Sequence, residues 1–75
     1  MELNPISSSN ISRSGYDSAT DSMFIEFKTG DIYKYESVPH DIFEEFLAAK
    51  SPGRYFMQYI KNTYRFKKLD VESTD

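Results

Sequence analysis

Met23-Phe24-Ile25-Glu26-Phe27-Lys28-Thr29-Gly30-Asp31-Ile32-Tyr33-Lys34-Tyr35 is two alternating runs on either side of one turn. Successive side chains of a strand point to opposite faces, so Met23, Ile25 and Phe27 share one side of the first run and Tyr33 and Tyr35 one side of the second. The loop decides how the runs meet. A two-residue loop, Thr29-Gly30, sets Phe27 opposite Ile32 and sends both tyrosines to the other face. A three-residue loop, Thr29-Gly30-Asp31, pairs Phe27 with Tyr33 and Ile25 with Tyr35, which collects the large side chains together. That second register is the expected one, and it leaves Ile32 outside. On the N-terminal side, Ile11 to Tyr16 reads as a further strand, set off by the turn-rich Asp17-Ser18-Ala19-Thr20-Asp21. Three antiparallel strands in a meander result, the second running from Met23 to Lys28 and the third from Ile32 to Glu36.

Beyond the third strand the period changes from two to 3.6. In Val38 to Ala49 the apolar residues Val38, Ile42, Phe43, Phe46 and Leu47 gather on one side at about 100° per residue, with Asp41, Glu44 and Glu45 on the other. This is a helix with an acidic outer face. Its start is open: Pro39 suits the first turn but makes Val38 a poor cap, and Ser37 caps only if the helix begins one residue earlier. The second helix starts at Ser51 as cap with Pro52 in the first helical position, and Phe56, Tyr59, Ile60 and Tyr64 form its buried stripe. Relative to Phe56, Arg54, Lys61 and Arg65 fall roughly 140–180° away if the helix reaches that far. Those three cations then share its outer face.

Composition bounds the rest. A chain of 75 residues is one domain at most and buries only about 60–65% of its unfolded surface, so the core is small. Six Tyr and six Phe make that core feasible without other support. With no cysteine there is no disulfide frame, no zinc ribbon and no thiol nucleophile. The first fourteen residues lack a basic-then-apolar signal pattern and no apolar run is long enough to span a bilayer, so a soluble, cytoplasmic protein is expected. Residues 1–9 and 67–75 have no periodic apolar pattern and read as loose ends around one unit, residues 10–66. The net charge is −3, but six cations and no acid fall between Lys50 and Leu69. The other residues carry three basic and twelve acidic groups, which makes the molecule electrically two-sided.

The ordered set Ser8-Ser9-Asn10-Ile11, Gly15-Tyr16-Asp17, Phe27, Gly30, Tyr33-Lys34-Tyr35, Val38-Pro39, Ser51-Pro52-Gly53-Arg54-Tyr55-Phe56 and Ile60-Lys61 resembles the KTSC domain, named for the C-terminal segment of some lysyl-tRNA synthetases. The resemblance runs from about Ser8 to Tyr64. It implies a small domain found alone or appended to a synthetase, with a supposed role in RNA binding, and it implies no aminoacylation. Ser14 departs from the pattern, where an aliphatic residue is expected before Gly15-Tyr16. That weakens the first strand and makes Gly15 the candidate bulge.

The functional lead is the aromatic-basic stretch from Arg54 to Lys68. Single-stranded nucleic acid is held by cations that track phosphates and by rings that stack on bases. With Phe56, Tyr59 and Ile60 facing the sheet, Tyr55 is the main ring left to stack, beside Tyr64 and Phe66. The bland alternative is a solvated basic face on an ordinary helix. Ser51-Pro52-Gly53-Arg54 offers free N–H groups, a small residue and a guanidinium to a phosphate held between Lys50 and Arg54, yet it is also what any helix start looks like. Tyr33 and Tyr35 are either core or, should the helices cover the other face, an exposed platform. Catalysis has little support: His40 beside Asp41 lacks a positioned Ser or Cys. One imidazole makes no zinc site, Asp17 and Asp21 lack the rest of a calcium loop, and Asp41, Glu44 and Glu45 have the spacing of a solvated face.

The expected protein is therefore α+β, a three-stranded antiparallel meander sheet with two helices packed on one face, and the basic C-terminal tail can add a short extended piece. It is a non-enzymatic binding module with no cofactor, no metal, no membrane and no small-molecule substrate. Lys50, Arg54, Lys61, Arg65, Lys67 and Lys68 contact RNA phosphates, single-stranded or structured, and Tyr55 stacks. The rival is a protein-interaction module, a stand-alone regulator or inhibitor of a larger cytoplasmic machine, docking a host protein through its acidic or basic face.

Overall fold

A computed structural model describes residues 3–69. Strands β1 (Asn4–Pro5), β2 (Ile11–Asp17), β3 (Ser22–Phe27) and β4 (Ile32–Tyr35) are followed by α1 (His40–Ala48) and α2 (Pro52–Tyr55), which runs on into a π turn (Phe56–Ile60), and by β5 (Phe66–Leu69). The sheet is antiparallel throughout, in the order β1-β2-β3-β4-β5. It has five strands, not the expected three, and both additions come from stretches without apolar periodicity. Asn4 and Pro5 pair with Ser14 and Arg13, and Phe66 to Leu69 pair with Tyr35 to Ile32. Edge strands this short are held by ladder hydrogen bonds more than by burial, so hydropathy does not announce them. Of the other expected loose residues, 3 and 6–9 belong to no strand or helix, and 1–2 and 70–75 lie outside the described residues.

The central hairpin has a three-residue loop, but it is Lys28-Thr29-Gly30 and not Thr29-Gly30-Asp31. The Phe27 amide donates to the Asp31 carbonyl and the Gly30 amide to the Phe27 carbonyl, both at 2.9 Å. Gly30 has φ +102°, the left-handed position that closes a three-residue hairpin, so the glycine must be the last loop residue and not the middle one. Pairing consequently slides by one residue at the loop: Ile25 meets Tyr33 and Met23 meets Tyr35. The shift moves both ends by a whole side-chain period relative to the expected register, so the same residues still share a face. Ile32 faces the other way, as expected, though its partner is Glu26 and not Lys28.

α1 and α2 cover the face that carries Ile11, Met23, Ile25 and Tyr35, which form one core with Val38, Phe43, Phe46, Phe56 and Ile60. Tyr35 is buried and Tyr33 half-buried at its margin, so the tyrosines belong to the covered face. Leu47 is exposed, against expectation, because the inner stripe centres on Phe43, Phe46 and the half-buried Ile42, and Leu47 lies about 90° from that centre at the helical period. Pro39 is the residue before α1 and supplies no side-chain cap. Ser37, at φ 57°, sits in the left-handed region of a turn instead. The Tyr16 hydroxyl donates to the Val38 carbonyl at 2.6 Å, and its ring stacks on Phe43 at 5.1 Å, pinning the entry to α1 against β2.

The bulge in β2 lies at Ser12, between Ile11 and Arg13, and not at Gly15. Ser14, the departure noted above, points into the core, is 1% exposed, and its Oγ has no hydrogen-bond partner among the described residues. An unpaired buried hydroxyl costs about 1–3 kcal/mol. Ser14→Ala is therefore expected to raise stability by about 1 kcal/mol; a lower midpoint in urea would show that the hydroxyl is satisfied.

Candidate nucleic-acid interface

The basic stretch does not form one helical face. α2 is held at its start by the Ser51 side chain, whose Oγ accepts from the Arg54 amide at 3.4 Å. Helical structure then ends in the π turn, where the Lys61 amide donates to the Phe56 carbonyl five residues back at 2.9 Å. A π turn takes in an extra residue, so it changes the phase of the stripe. Phe56 and Ile60 remain buried, while Tyr59 is carried outward to 54% exposure instead of facing the sheet. Arg65 lies beyond the helix altogether, and its carbonyl accepts from the Glu36 amide at 2.8 Å. Arg54, Lys61 and Arg65 are all exposed but come from a helix, a helix end and the approach to β5.

The other two cations sit on β5 and diverge. Lys68 pairs with Tyr33 on the covered side, with its Nζ 3.6 Å from an Asp31 carboxylate oxygen. Lys67 pairs with Lys34 and points to the opposite face. Lys50 is exposed in the connection between the helices. Among the described residues, Lys68 is the member of the expected set with a carboxylate within ion-pair distance.

Tyr55 is not a free stacking ring. It is half-buried, its hydroxyl donates to Glu45 Oε1 at 2.8 Å, and its ring lies 4.8 Å from Tyr59. The exposed rings are Tyr59 and Phe66. Phe66 is 49% exposed and rests 5.4 Å from both Tyr33 and Tyr35. It ends a chain of rings, because Tyr35 meets Phe56 edge-on at 5.4 Å and Phe56 meets Phe27 at 5.7 Å. The signal for Phe66 was its place between Arg65 and Lys67; nothing in the sequence showed that β5 would hold it against Tyr33.

At the start of α2 the space beside Gly53 is already occupied. A Cβ at Gly53 would stand 2.7 Å from Ser8 Oγ, so the close approach that this glycine permits is made by Ser8. The same Oγ accepts from the Asn10 and Ile11 amides at 3.2 Å, tying the turn before β2 to the helix start. Elsewhere, His40 Nε2 is 3.4 Å from Glu44 Oε2 and its ring packs edge-on against Tyr16. No group of three metal-ligating side chains is found among the described residues, and none of their helices is long and apolar enough to cross a membrane.

Burial, and then its bond to Glu45, raises the Tyr55 phenol to about 12. Burial also raises Tyr35 to about 12, with Tyr33 adding to the effect. In the unfolded chain both ionise near their ordinary value of about 10. The stability they contribute is therefore complete below about pH 10 and is lost as pH rises towards about 12. Ultraviolet titration should show at least two tyrosines ionising late, together with unfolding; six phenols titrating as one group in a folded chain would contradict the packing.

The family model described as "KTSC domain" matches residues 7–64. The chain belongs to the KTSC domain family. A crystal structure of a KTSC domain protein from Yersinia pestis superposes with a TM-score of 0.87 at 34% identity, covering 92% of this chain and 97% of that one. An uncharacterized protein of Stutzerimonas stutzeri is 36% identical over 71 residues, 93% of this chain and 100% of its own length. A lysine–tRNA ligase of Trichormus variabilis is 37% identical over 54 residues, 72% of this chain but only 10% of the ligase. The KTSC unit thus occurs both by itself and as a small part of a much larger chain. The paired motifs quoted above have a structural meaning in it: Ser8 meets Gly53, and Tyr16 bonds to Val38.

Proposed function

We propose that this KTSC domain is a non-catalytic cytoplasmic module that binds single-stranded RNA across β5 and the end of the second helix. Phe66 carries the reading. A half-exposed ring braced by two tyrosines, in an exposed strand that also holds Lys67 and Lys68 and follows Arg65, combines a stacking surface with phosphate partners. Arg54 and Lys61 extend the track along the helix, and Tyr59 adds a second exposed ring. The similarity to part of a lysine–tRNA ligase supports the class of ligand, since that protein's name places it with transfer RNA. Little base specificity is expected, because phosphate and ring-face contacts read no base edges.

A labelled single-stranded RNA titrated with the protein at several salt concentrations tests this. Affinity should fall steeply with salt, with a slope of about −0.7 per contacted phosphate. Absence of binding at low salt would overturn the reading. One observation favours a second reading, docking to a host protein as its regulator: Leu47 is 45% exposed on α1, the helix that also carries Asp41, Glu44 and Glu45.

A further inference from the structure

The helices cover one face of the sheet. On the other, strand alternation and register place two cross-strand rows: Gly15, Phe24, Lys34 and Lys67, and beside it Arg13, Glu26, Ile32 and Leu69. Lys34 and Lys67 stand directly opposite each other on β4 and β5. Like charges so placed repel and destabilise a strand pair. No carboxylate relieves them among the described residues: neither lysine is in an ion pair there. Glu26, in the neighbouring row, is held by the Arg13 guanidinium, with Nη2 donating to Oε2 at 3.1 Å. Glu36, past the end of β4, is opposite Arg65, to whose carbonyl its amide donates.

Phe24 is next to Lys34 in the row and is only half-buried. Its other neighbour is Gly15, which brings no side chain to stand beside the ring. A ring one strand spacing, about 4.8 Å, from Lys34 and two from Lys67, with no carboxylate on either lysine among the described residues, suits a ligand with both a flat base and an anionic linkage. A carboxylate-rich peptide would use the lysines but not the ring.

We infer that the uncovered face is a second contact surface for single-stranded nucleic acid, with Lys34 and Lys67 sharing a phosphate and Phe24 stacking on an adjacent base. This rests on the function proposed above and extends it: β5 sends Phe66 and Lys68 to one face and Lys67 to the other, so a strand bound at this edge reaches both. The bound phosphate also supplies the negative charge that the lysine pair lacks among the described residues.

Fluorescence anisotropy with a labelled single-stranded oligouridylate tests it, using wild type, Lys34→Gln, Lys34→Arg, Lys67→Gln and Phe24→Leu, with thermal unfolding of each protein without RNA. Lys34→Gln and Lys67→Gln should each weaken binding at least threefold and flatten the salt slope, by no more than about 0.7 in either case because they share one phosphate. Each should leave the unfolding temperature unchanged or raised, because the repulsion is gone; Lys34→Arg should retain the affinity. Phe24→Leu should weaken binding about fivefold or more. Wild-type binding that persists unchanged in Lys34→Gln and Phe24→Leu overturns this inference alone. No wild-type binding overturns the proposed function as well. Equal binding of polyglutamate, in competition with the oligonucleotide, overturns the assignment to nucleic acid.

Discussion

Phe56→Ala is expected to remove about 3–5 kcal/mol of stability, the usual cost of truncating a fully buried Phe. Phe56 is 1% exposed, opens the π turn, and meets both Phe27 and Tyr35 edge-on. It therefore joins the second helix to two strands at once. A chain of 75 residues has a total stability of roughly 4–11 kcal/mol, so about half of it would be lost and the variant would unfold at a much lower urea concentration. Urea denaturation followed by circular dichroism measures the change. Phe56→Leu, which keeps much of the volume, should cost clearly less. A loss below about 1 kcal/mol for the alanine variant would mean that the second helix contributes little to holding the sheet.

Changing Arg54, Lys61 and Arg65 together to Gln is expected to produce the largest functional effect. If the five cations of the proposed surface, Arg54, Lys61, Arg65, Lys67 and Lys68, meet phosphates, the salt slope of the wild type is about −3.5, and losing three contacts lowers it to about −1.4. Affinity at low salt should fall accordingly, whereas in high salt the two proteins should converge. All three side chains are exposed and none is in an ion pair among the described residues, so the fold should tolerate the change. Anisotropy with single-stranded RNA reads affinity and slope together. A triple variant that binds like the wild type, with the same slope, would show that phosphates are met elsewhere. Phe66→Leu separates the ring from the charge: it should weaken binding without altering the slope, whereas Tyr55→Phe should do neither, since that hydroxyl is engaged with Glu45.

Local periodicity in this chain decides which side chains share a face but not which segment they meet. Alternation in Met23–Phe27 and in Tyr33–Tyr35 correctly chose the face, because parity survives a shift by a whole period. It did not choose the partner, because that depended on Gly30 taking the left-handed position at the loop's end. The helical period correctly buried Phe56 and Ile60 but not Tyr59, since the period itself changes where one turn becomes a π turn. The cationic stretch was visible as composition. Its division among a helix, a turn and two sides of a strand was not.

By itself the sequence determined a small α+β domain, which residues share each sheet face, the start of its second helix and its concentration of positive charge, because these follow from local periodicity and from the residues that can begin a helix. Only the tertiary structure decided that Asn4–Pro5 and Phe66–Leu69 join the sheet, that Tyr55 turns to Glu45 while Phe66 stays open, and that Lys34 faces Lys67. Each of these is a contact between segments far apart in the chain, set by ladder hydrogen bonds and ring packing, and no pattern within one segment encodes its partner.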